Sequence, residues 1–349
     1  MPTVGDAMRA ELPAIGKGIL PEVYTSHGIL YHADCSALFA AIRDSSVDTV
    51  FADPPFNLGK DYGNGAHHDA RSKLEYMDWT RSWVDEAIRV LKPGGSLFIY
   101  ILPRWGYHIA AHLESQSMLF RHWIALSMKG TFPRGKRLYP AHYALLYFTK
   151  GEPKTFNKVR LPIPTCRHCG KEIKDYGGHR KYLNPAGLNL TDMWEDTAPS
   201  RHKRDKTRPH INELKPLIPS RCIQISTEPG DVVLDPFGGG GSTFEAAELL
   251  HRLWIGSEIA TCDPISERLQ SRFPADFMQP PSLAVRLLVG AYPHAQDHTR
   301  ASLQRSVGEG QPTRPRRPSR RTSPDTDRIS ASGSGGKGQQ RRRRSTGTS

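Results

Sequence analysis

The sequence predicts an α/β fold around a mostly parallel sheet, with one antiparallel pair closing its edge. Three observations carry that expectation. Short aliphatic and β-branched runs alternate with stretches of helical period between residues 28 and 149, in the order βαβαβαββ. Two apolar runs stop abruptly at an aspartate, one at Asp53-Pro54-Pro55 and one at Asp235-Pro236-Phe237-Gly238. Between these two corners, residues 151–206 break the rhythm, being basic, rich in turns and poor in long apolar runs.

Residues 1–27 mix Gly, Pro and polar residues without a sustained period and read as a loosely ordered start. Residues 28–35 read as a short strand with Asp34 at its end. Residues 36–43 have helical spacing, with Ser36 as the N-cap. The run 47–52 is apolar and β-branched, so it reads as a buried strand. It stops at Asp53 because two prolines remove two backbone donors and fix two φ angles. The residue before a proline is itself pushed to extended geometry. The product is a rigid corner holding a carboxylate, several carbonyls and the Phe56 ring.

A loop rich in Gly, His and Asp follows over 58–73, with a functional lid and a plain surface loop as its two readings. Residues 74–91 have helical period, with Met77, Trp83, Val84, Ala87, Ile88 and Leu91 on one face. Lys92-Pro93-Gly94-Gly95 stops that helix. Residues 96–102 read as a buried strand and 105–115 as a helix. The runs 122–128 and 143–149 read as two strands forming the antiparallel edge pair.

Helical spacing returns over 212–226, where Pro219 signals a kink or a late start. Residues 231–234 form a strand, 243–250 a helix, and 253–257 a strand ending at Glu258. Beyond about residue 274 the pattern thins, leaving one short helix over 283–289. Residues 295–349, rich in Arg, Ser, Pro and Gly, read as disordered.

Composition narrows the function. No run of about 18 apolar residues exists, so no membrane span is expected. The first 20 residues lack a signal-peptide pattern. The five cysteines are odd in number and sparse, which suits a reducing cytoplasm better than a disulfide scaffold. The net charge of +13 is unevenly spread. Residues 300–349 carry 13 Lys/Arg against 3 Asp/Glu, and residues 121–220 carry 20 against 8, so the remaining scaffold is net acidic. A basic segment set in an acidic scaffold points to a polyanion partner, of which nucleic acid is the commonest. The run Arg201-His202-Lys203-Arg204-Asp205-Lys206 is a phosphate-contact candidate, with a solvated face as the other reading.

The second corner carries the cofactor argument. Glycines 238–241 let a ligand approach the backbone with no Cβ in the way. The helix that follows points its N-terminal donors at that ligand. About 20 residues beyond the loop, Glu258 ends the next strand, where an acidic residue suits a ribose diol. No Lys follows the glycines as a phosphate-binding loop requires. Asp235 would repel an anion and suits an ammonium instead. An adenosine with an amino-acid appendage meets both demands, which points to S-adenosylmethionine.

Asp53-Pro54-Pro55-Phe56 resembles the catalytic Asp-Pro-Pro-aromatic motif of DNA amino-methyltransferases. Asp235-Pro236-Phe237-x-Gly239-x-Gly241-Ser242 resembles their cofactor motif. The order, catalytic motif first and cofactor motif last, resembles the β class of that family. Lys92-Pro93-Gly94-Gly95 and Lys215-Pro216 also match, while the family's His-Pro-Thr-Gln-Lys-Pro element appears here only as His210-Ile-Asn-Glu-Leu-Lys-Pro.

The resemblance implies a Rossmann-like methyltransferase sheet. Residues 28–150 would be its catalytic half and 211–275 its cofactor half. Residues 151–210 would be an inserted target-recognition region, and 276–349 a mostly disordered basic tail. Asp53 and a carbonyl of Pro54-Pro55 would accept the two hydrogens of an exocyclic amine. Phe56 would stack on the target base, which must leave the duplex to reach the pocket. Asn57 has two readings, a base-edge contact or a turn cap. Asp235 and the glycine loop, with Gly239 and Gly241, would hold the methionine part of the cofactor, and Pro236 and Ser242 would belong to the same cofactor site. Phe237 would border the adenosine, Glu258 would bind the ribose, and Asp34 would lie near the adenine.

Cys166-x-x-Cys169 resembles a zinc knuckle, its remaining ligands drawn from His168, His179, His202 or Cys222, with free thiols as the other reading. The expected substrate is adenine N6 in double-stranded DNA, because cytosine-N4 enzymes more often carry Ser at the first motif position. The alternatives are a cytosine-N4 enzyme, an RNA or protein-glutamine methyltransferase, and a non-catalytic DNA-binding regulator. A homodimer is the further expected assembly.

Overall fold

The computed structural model describes residues 12–59, 70–128, 136, 138, 140–163, 165, 166, 168–171, 177, 178, 180–197 and 214–289. The run 201–206, His179, His202 and the segment from 295 onward lie outside the described residues.

Among the described residues, nine strands form one sheet. Its order is β1 (Pro21–Tyr24), β2 (Gly28–His32), β11 (Leu253–Glu258), β10 (Val232–Asp235), β3 (Val47–Ala52), β4 (Leu91–Ile101), β6 (His142–Thr149), β5 (Leu119–Ser127) and β9 (Met193–Trp194). The five central strands from β2 to β4 are mutually parallel. Strand β6 runs antiparallel to both β4 and β5. Strands β7 (Arg160–Leu161) and β8 (Leu188–Asn189) form a separate antiparallel pair.

Helices cover both faces, so the central strands are buried along most of their length. All six residues of β3 are buried. On one face, Leu38 of α1 (Cys35–Ala41), Val84 of α2 (Lys73–Val90) and Ile109 of α3 (Pro103–Ser115) join Val50, Leu97 and Leu234 in one core. On the other, Ile218 and Ile225 of α4 (Leu217–Ser226) pack with Phe51 and Phe98. Phe244 of α5 (Ser242–Leu249) and Ile265 of α6 (Asp263–Arg272) pack there with Val233 and Trp254. Residues Val50 and Phe51 face opposite layers because strand side chains alternate. A one-turn helix, α7 (Leu283–Arg286), buries Val285 in the first core. No described helix is long and apolar enough to cross a membrane.

Asp48 fixes the lower end of the central strands. It is buried, and accepts from Lys92 Nζ at 2.6 Å, Lys154 Nζ at 3.1 Å and the Val232 backbone N–H at 3.0 Å. Burial alone would raise its pKa, but these three donors outweigh it and hold the carboxyl below its ordinary value. One carboxylate thereby ties β3, β4 and β10 together.

The structure departs from the sequence expectations in four places, and at Pro219 it decides between the two readings in favour of the late start. Residues 21–24, expected within a loosely ordered start, form edge strand β1, whose proline sits at its first position where a missing donor costs little. The cap of α1 is Asp34 rather than Ser36, since the Asp34 side chain accepts from the Ser36 N–H. Lys92-Pro93-Gly94-Gly95 does not separate helix from strand but forms a bulge inside β4. Val47 pairs with Leu91 while Thr49 pairs with Ser96, and Gly94 has φ +78. Helix α4 starts late, at Leu217, which puts Pro219 in the first turn where no intrahelical donor is needed. The β5–β6 pair forms as expected, yet it does not end the sheet. Met193 and Trp194 pair with Ala125 and Leu126, and β9 becomes the edge. Trp194 is 1% exposed, and burying so large a ring draws the end of the inserted segment onto the sheet.

Candidate active site

The register of the central strands decides which residues meet. Strand β10 pairs with β3 through Val233–Thr49 and Leu234–Val50. Asp235 at the end of β10 lies beside Gly256 on β11. Asp53, Asp235 and Glu258 therefore leave three neighbouring parallel strands at the same C-terminal edge, where open α/β sheets bind ligands.

At the first corner Asp53 is half-buried and Pro54 buried. The Asp53 charge lies close enough to Tyr100 and Tyr143 to add to burial in raising the pKa of both phenols, so both stay neutral. Phe56, Tyr100 and Tyr143 form a triangle of rings, with centroids 5.7, 5.9 and 4.9 Å apart. The carbonyls of the corner are largely engaged. Tyr76 donates its hydroxyl to the Pro55 carbonyl at 2.7 Å, and Trp105 Nε1 donates to the Phe56 carbonyl at 2.9 Å. Arg104 donates to the Asn57 carbonyl at 3.1 Å. The Pro54 carbonyl has no partner among the described residues. Asn57 takes the left-handed backbone that Asn tolerates, with φ 55. Its side chain bonds the Arg71 N–H and carbonyl at 2.8 and 2.9 Å, closing the loop that follows the corner.

At the second corner Asp235 is 2% exposed and accepts from the Phe237 N–H at 2.9 Å. Burial pushes its pKa up to about 7, and the nearby Glu258 adds to the rise. The Thr243 hydroxyl and the Phe237 N–H oppose it. Glu258 is also raised by burial, although it accepts from the Gly239 N–H at 2.6 Å and the Ala260 N–H at 2.8 Å. Gly241, at φ +77, caps α5 in a conformation that L side chains disfavour. The Pro236 carbonyl accepts from the Ser257 hydroxyl at 3.0 Å, and the Ser242 hydroxyl donates to the Leu214 carbonyl at 2.8 Å. The Phe237 ring packs edge-on against Trp83 at 5.2 Å.

Asp34 also reaches this edge, since the Ala33 N–H donates to the Glu258 carbonyl at 3.0 Å. Its carboxylate is engaged in capping, however, accepting from the Ser36 N–H at 2.9 Å and hydroxyl at 2.5 Å.

The donor set fits a cationic nucleoside. Burial raises the proton affinity of both carboxylates, Glu258 adds to the rise at Asp235, and among the described residues no Lys or Arg side chain bonds either one. A ligand carrying an ammonium, a sulfonium and a ribose diol supplies what the pair lacks.

The cysteine pair is less complete. Cys166 is half-buried and Cys169 exposed, in a tight turn where the Gly170 N–H donates to the Cys166 carbonyl at 2.8 Å. Backbone N–H groups of Cys169 and His168 lower the Cys166 pKa. Cys222, considered as a further ligand, is sealed in the core beneath β3 and β4. No group of three or more metal-ligating side chains occurs among the described residues.

Sequence reasoning did not single out Tyr76, Trp105, Tyr100, Tyr143 or Arg71. Each sits in a stretch whose periodicity reads as ordinary core or surface. The available signal was the spacing of Tyr76, Trp79 and Trp83, which places three large aromatics on one stripe of α2.

An acidic Pro-Pro corner beside a glycine loop, with a third acidic residue on the next strand, defines the class of S-adenosylmethionine-dependent amino-methyltransferases. The chain belongs to the N6/N4 methyltransferase family of DNA methylases, which matches residues 47–262. Type II methyltransferase M.BamHI of Bacillus amyloliquefaciens is 51% identical over 255 residues, spanning 73% of this chain and 60% of that protein. The match thus covers less than two thirds of that relative. Type II methyltransferase M.HpaI of Haemophilus parainfluenzae is 32% identical over 247 residues, 68% of this chain and 74% of its own. The solved PvuII DNA methyltransferase (cytosine-N4-specific) shares the fold, with TM-score 0.52 at 20% identity over 70% of this chain and 86% of that one.

Proposed function

We propose that this chain methylates the exocyclic N6 amine of adenine at a specific sequence in duplex DNA. The observation that carries the reading is the placement of Asp53 on the strand beside Asp235, with the Pro54 carbonyl left as an acceptor next to it. When bound, S-adenosylmethionine supplies a methyl group activated by its sulfonium charge.

The chain's task is to make a poor nucleophile attack. The amine lone pair of an aromatic base is delocalised into the ring. Asp53 accepts one amine hydrogen and the Pro54 carbonyl the other. Two acceptors so placed favour a pyramidal nitrogen whose lone pair points toward the methyl. The flipped base stacks on Phe56, with Tyr100 and Tyr143 forming the wall of its pocket. Asp235 and Glu258 hold the cationic and ribose groups. Holding both reactants in line is worth about 7–11 kcal/mol at best.

Cytosine N4 is the second reading. The PvuII enzyme that shares the fold is cytosine-N4-specific, which favours it, and Asp53 can accept from either amine. Mass spectrometry of nucleosides from treated DNA separates the two. N6-methyladenine is expected. N4-methylcytosine alone overturns the adenine assignment, and no methylated base at all overturns the enzyme and leaves a DNA-binding regulator. Asp53→Ala should lower the transfer rate by about 10²–10³-fold, the scale of losing one transition-state contact. DNA affinity should stay unchanged.

A further inference from the structure

We propose that Tyr76 is a positioning residue for methyl transfer, holding the Pro54 carbonyl toward the target amine through its grip on Pro55. The inference rests on the amino-methyltransferase reading above. The corner has an unusual weakness. Neither Pro54 nor Pro55 has a backbone N–H, so no sheet ladder can hold this stretch. Only its carbonyls offer handles. The Pro55 ring sets its own φ, which leaves ψ of Pro55 as the one free torsion between the Pro54 and Pro55 carbonyl groups. Whatever fixes the Pro55 carbonyl therefore fixes the direction of its neighbour.

That fixing group is the Tyr76 hydroxyl, 2.7 Å from the Pro55 oxygen. Tyr76 is 1% exposed, so little water competes for the bond. The next two carbonyls are held from α3 by Trp105 and Arg104. The three donors take carbonyls 55, 56 and 57 in succession and spare the one at 54. The Tyr76 ring is itself clamped, 4.7 Å from Trp105 and 5.7 Å from Trp79. Trp79 in turn lies 5.9 Å from Phe237 of the glycine corner, with the Arg71 guanidinium 4.5 Å over its ring. A row of rings on α2 and α3 thus spans the distance between the two corners. Tyr76 stands at its centre with the only hydroxyl.

Two substitutions separate positioning from packing. Tyr76→Leu removes ring and hydroxyl, and should lower both the melting temperature and the single-turnover transfer rate. Tyr76→Phe keeps the ring. It should restore the melting temperature while the rate stays about 10- to 100-fold below wild type, the scale of a small misplacement of reacting groups. KM for DNA and the calorimetric affinity for the cofactor should stay within about twofold in Tyr76→Phe, because neither binding step uses this hydroxyl. An active wild type with an equally active Tyr76→Phe overturns the positioning role alone. A loss confined to KM overturns it as well. A wild type without any transfer overturns the proposed function and this inference with it.

Discussion

Asp235, the carboxylate proposed to hold the cofactor's cationic group, shows most directly how burial ties one residue to pH. Its carboxyl is driven up from an ordinary 3.8 to about 7, first by burial and then by Glu258. The folded chain therefore holds this proton more tightly than the unfolded one. The resulting stabilisation is complete below about pH 4, and is lost as pH rises through 7. A cationic ligand needs the ionised form, so its affinity moves the opposite way and falls below pH 7. Asp235→Asn should raise the melting temperature of the cofactor-free protein at pH 8 and flatten its pH dependence. The gain is capped at a few kcal/mol, since each pK unit is worth about 1.4 kcal/mol. The same change should weaken cofactor binding by about 10- to 100-fold, the loss expected for a charge-assisted contact. Calorimetry and thermal melts across pH 5–8 measure both effects. Asp53 and Asp235 were legible as residues because prolines and glycines marked the ends of their strands. The carbonyl partners of Pro55 and Phe56 were not, because a tyrosine or tryptophan on a helical stripe looks the same whether it packs or donates.

At the scale of elements, α2 connects the site to the scaffold. Its start is set by a capping box, in which Ser72 accepts from the Glu75 N–H at 3.3 Å and Glu75 accepts from the Ser72 N–H at 2.9 Å. Ser72→Ala should cost about 1 kcal/mol of stability, read by denaturant unfolding. Strand β11 makes a second test. A Cβ on Gly256 would sit 2.3 Å from the Phe244 ring of α5, the helix that opens at the glycine corner. Gly256→Ala should destabilise by about 1–3 kcal/mol through overpacking. Periodicity was sufficient for α2, α3 and the central strands, whose apolar stripes are long. It failed at Pro21–Tyr24 and Met193–Trp194, which are too short to show a period and exist because a neighbouring strand offers its free edge.

At the scale of the whole molecule, the inserted segment is fastened by Trp194 and by Arg221 of α4. Arg221 grips Asp196 with both arms, at 2.8 and 2.5 Å, and lies 5.2 Å over the Trp194 ring. Helix α4 also packs beneath Phe51, the strand residue two positions before Asp53. Trp194→Ala should cost about 3–5 kcal/mol, the range for emptying a large aromatic site. It should also open the segment preceding it to protease at temperatures where wild type resists.

The sequence by itself determined the alternation of strands and helices, the two corners and the chemistry each can do. These follow from local rules: prolines end strands, glycines admit ligands, and carboxylates attract cations. Only the tertiary structure decided that β10 lies between β3 and β11, and so brings Asp53, Asp235 and Glu258 to one edge. It alone decided which helices grip the carbonyls of the Pro-Pro corner. Strand order and helix–corner contacts depend on packing between residues distant in the chain, and no local period encodes such contacts.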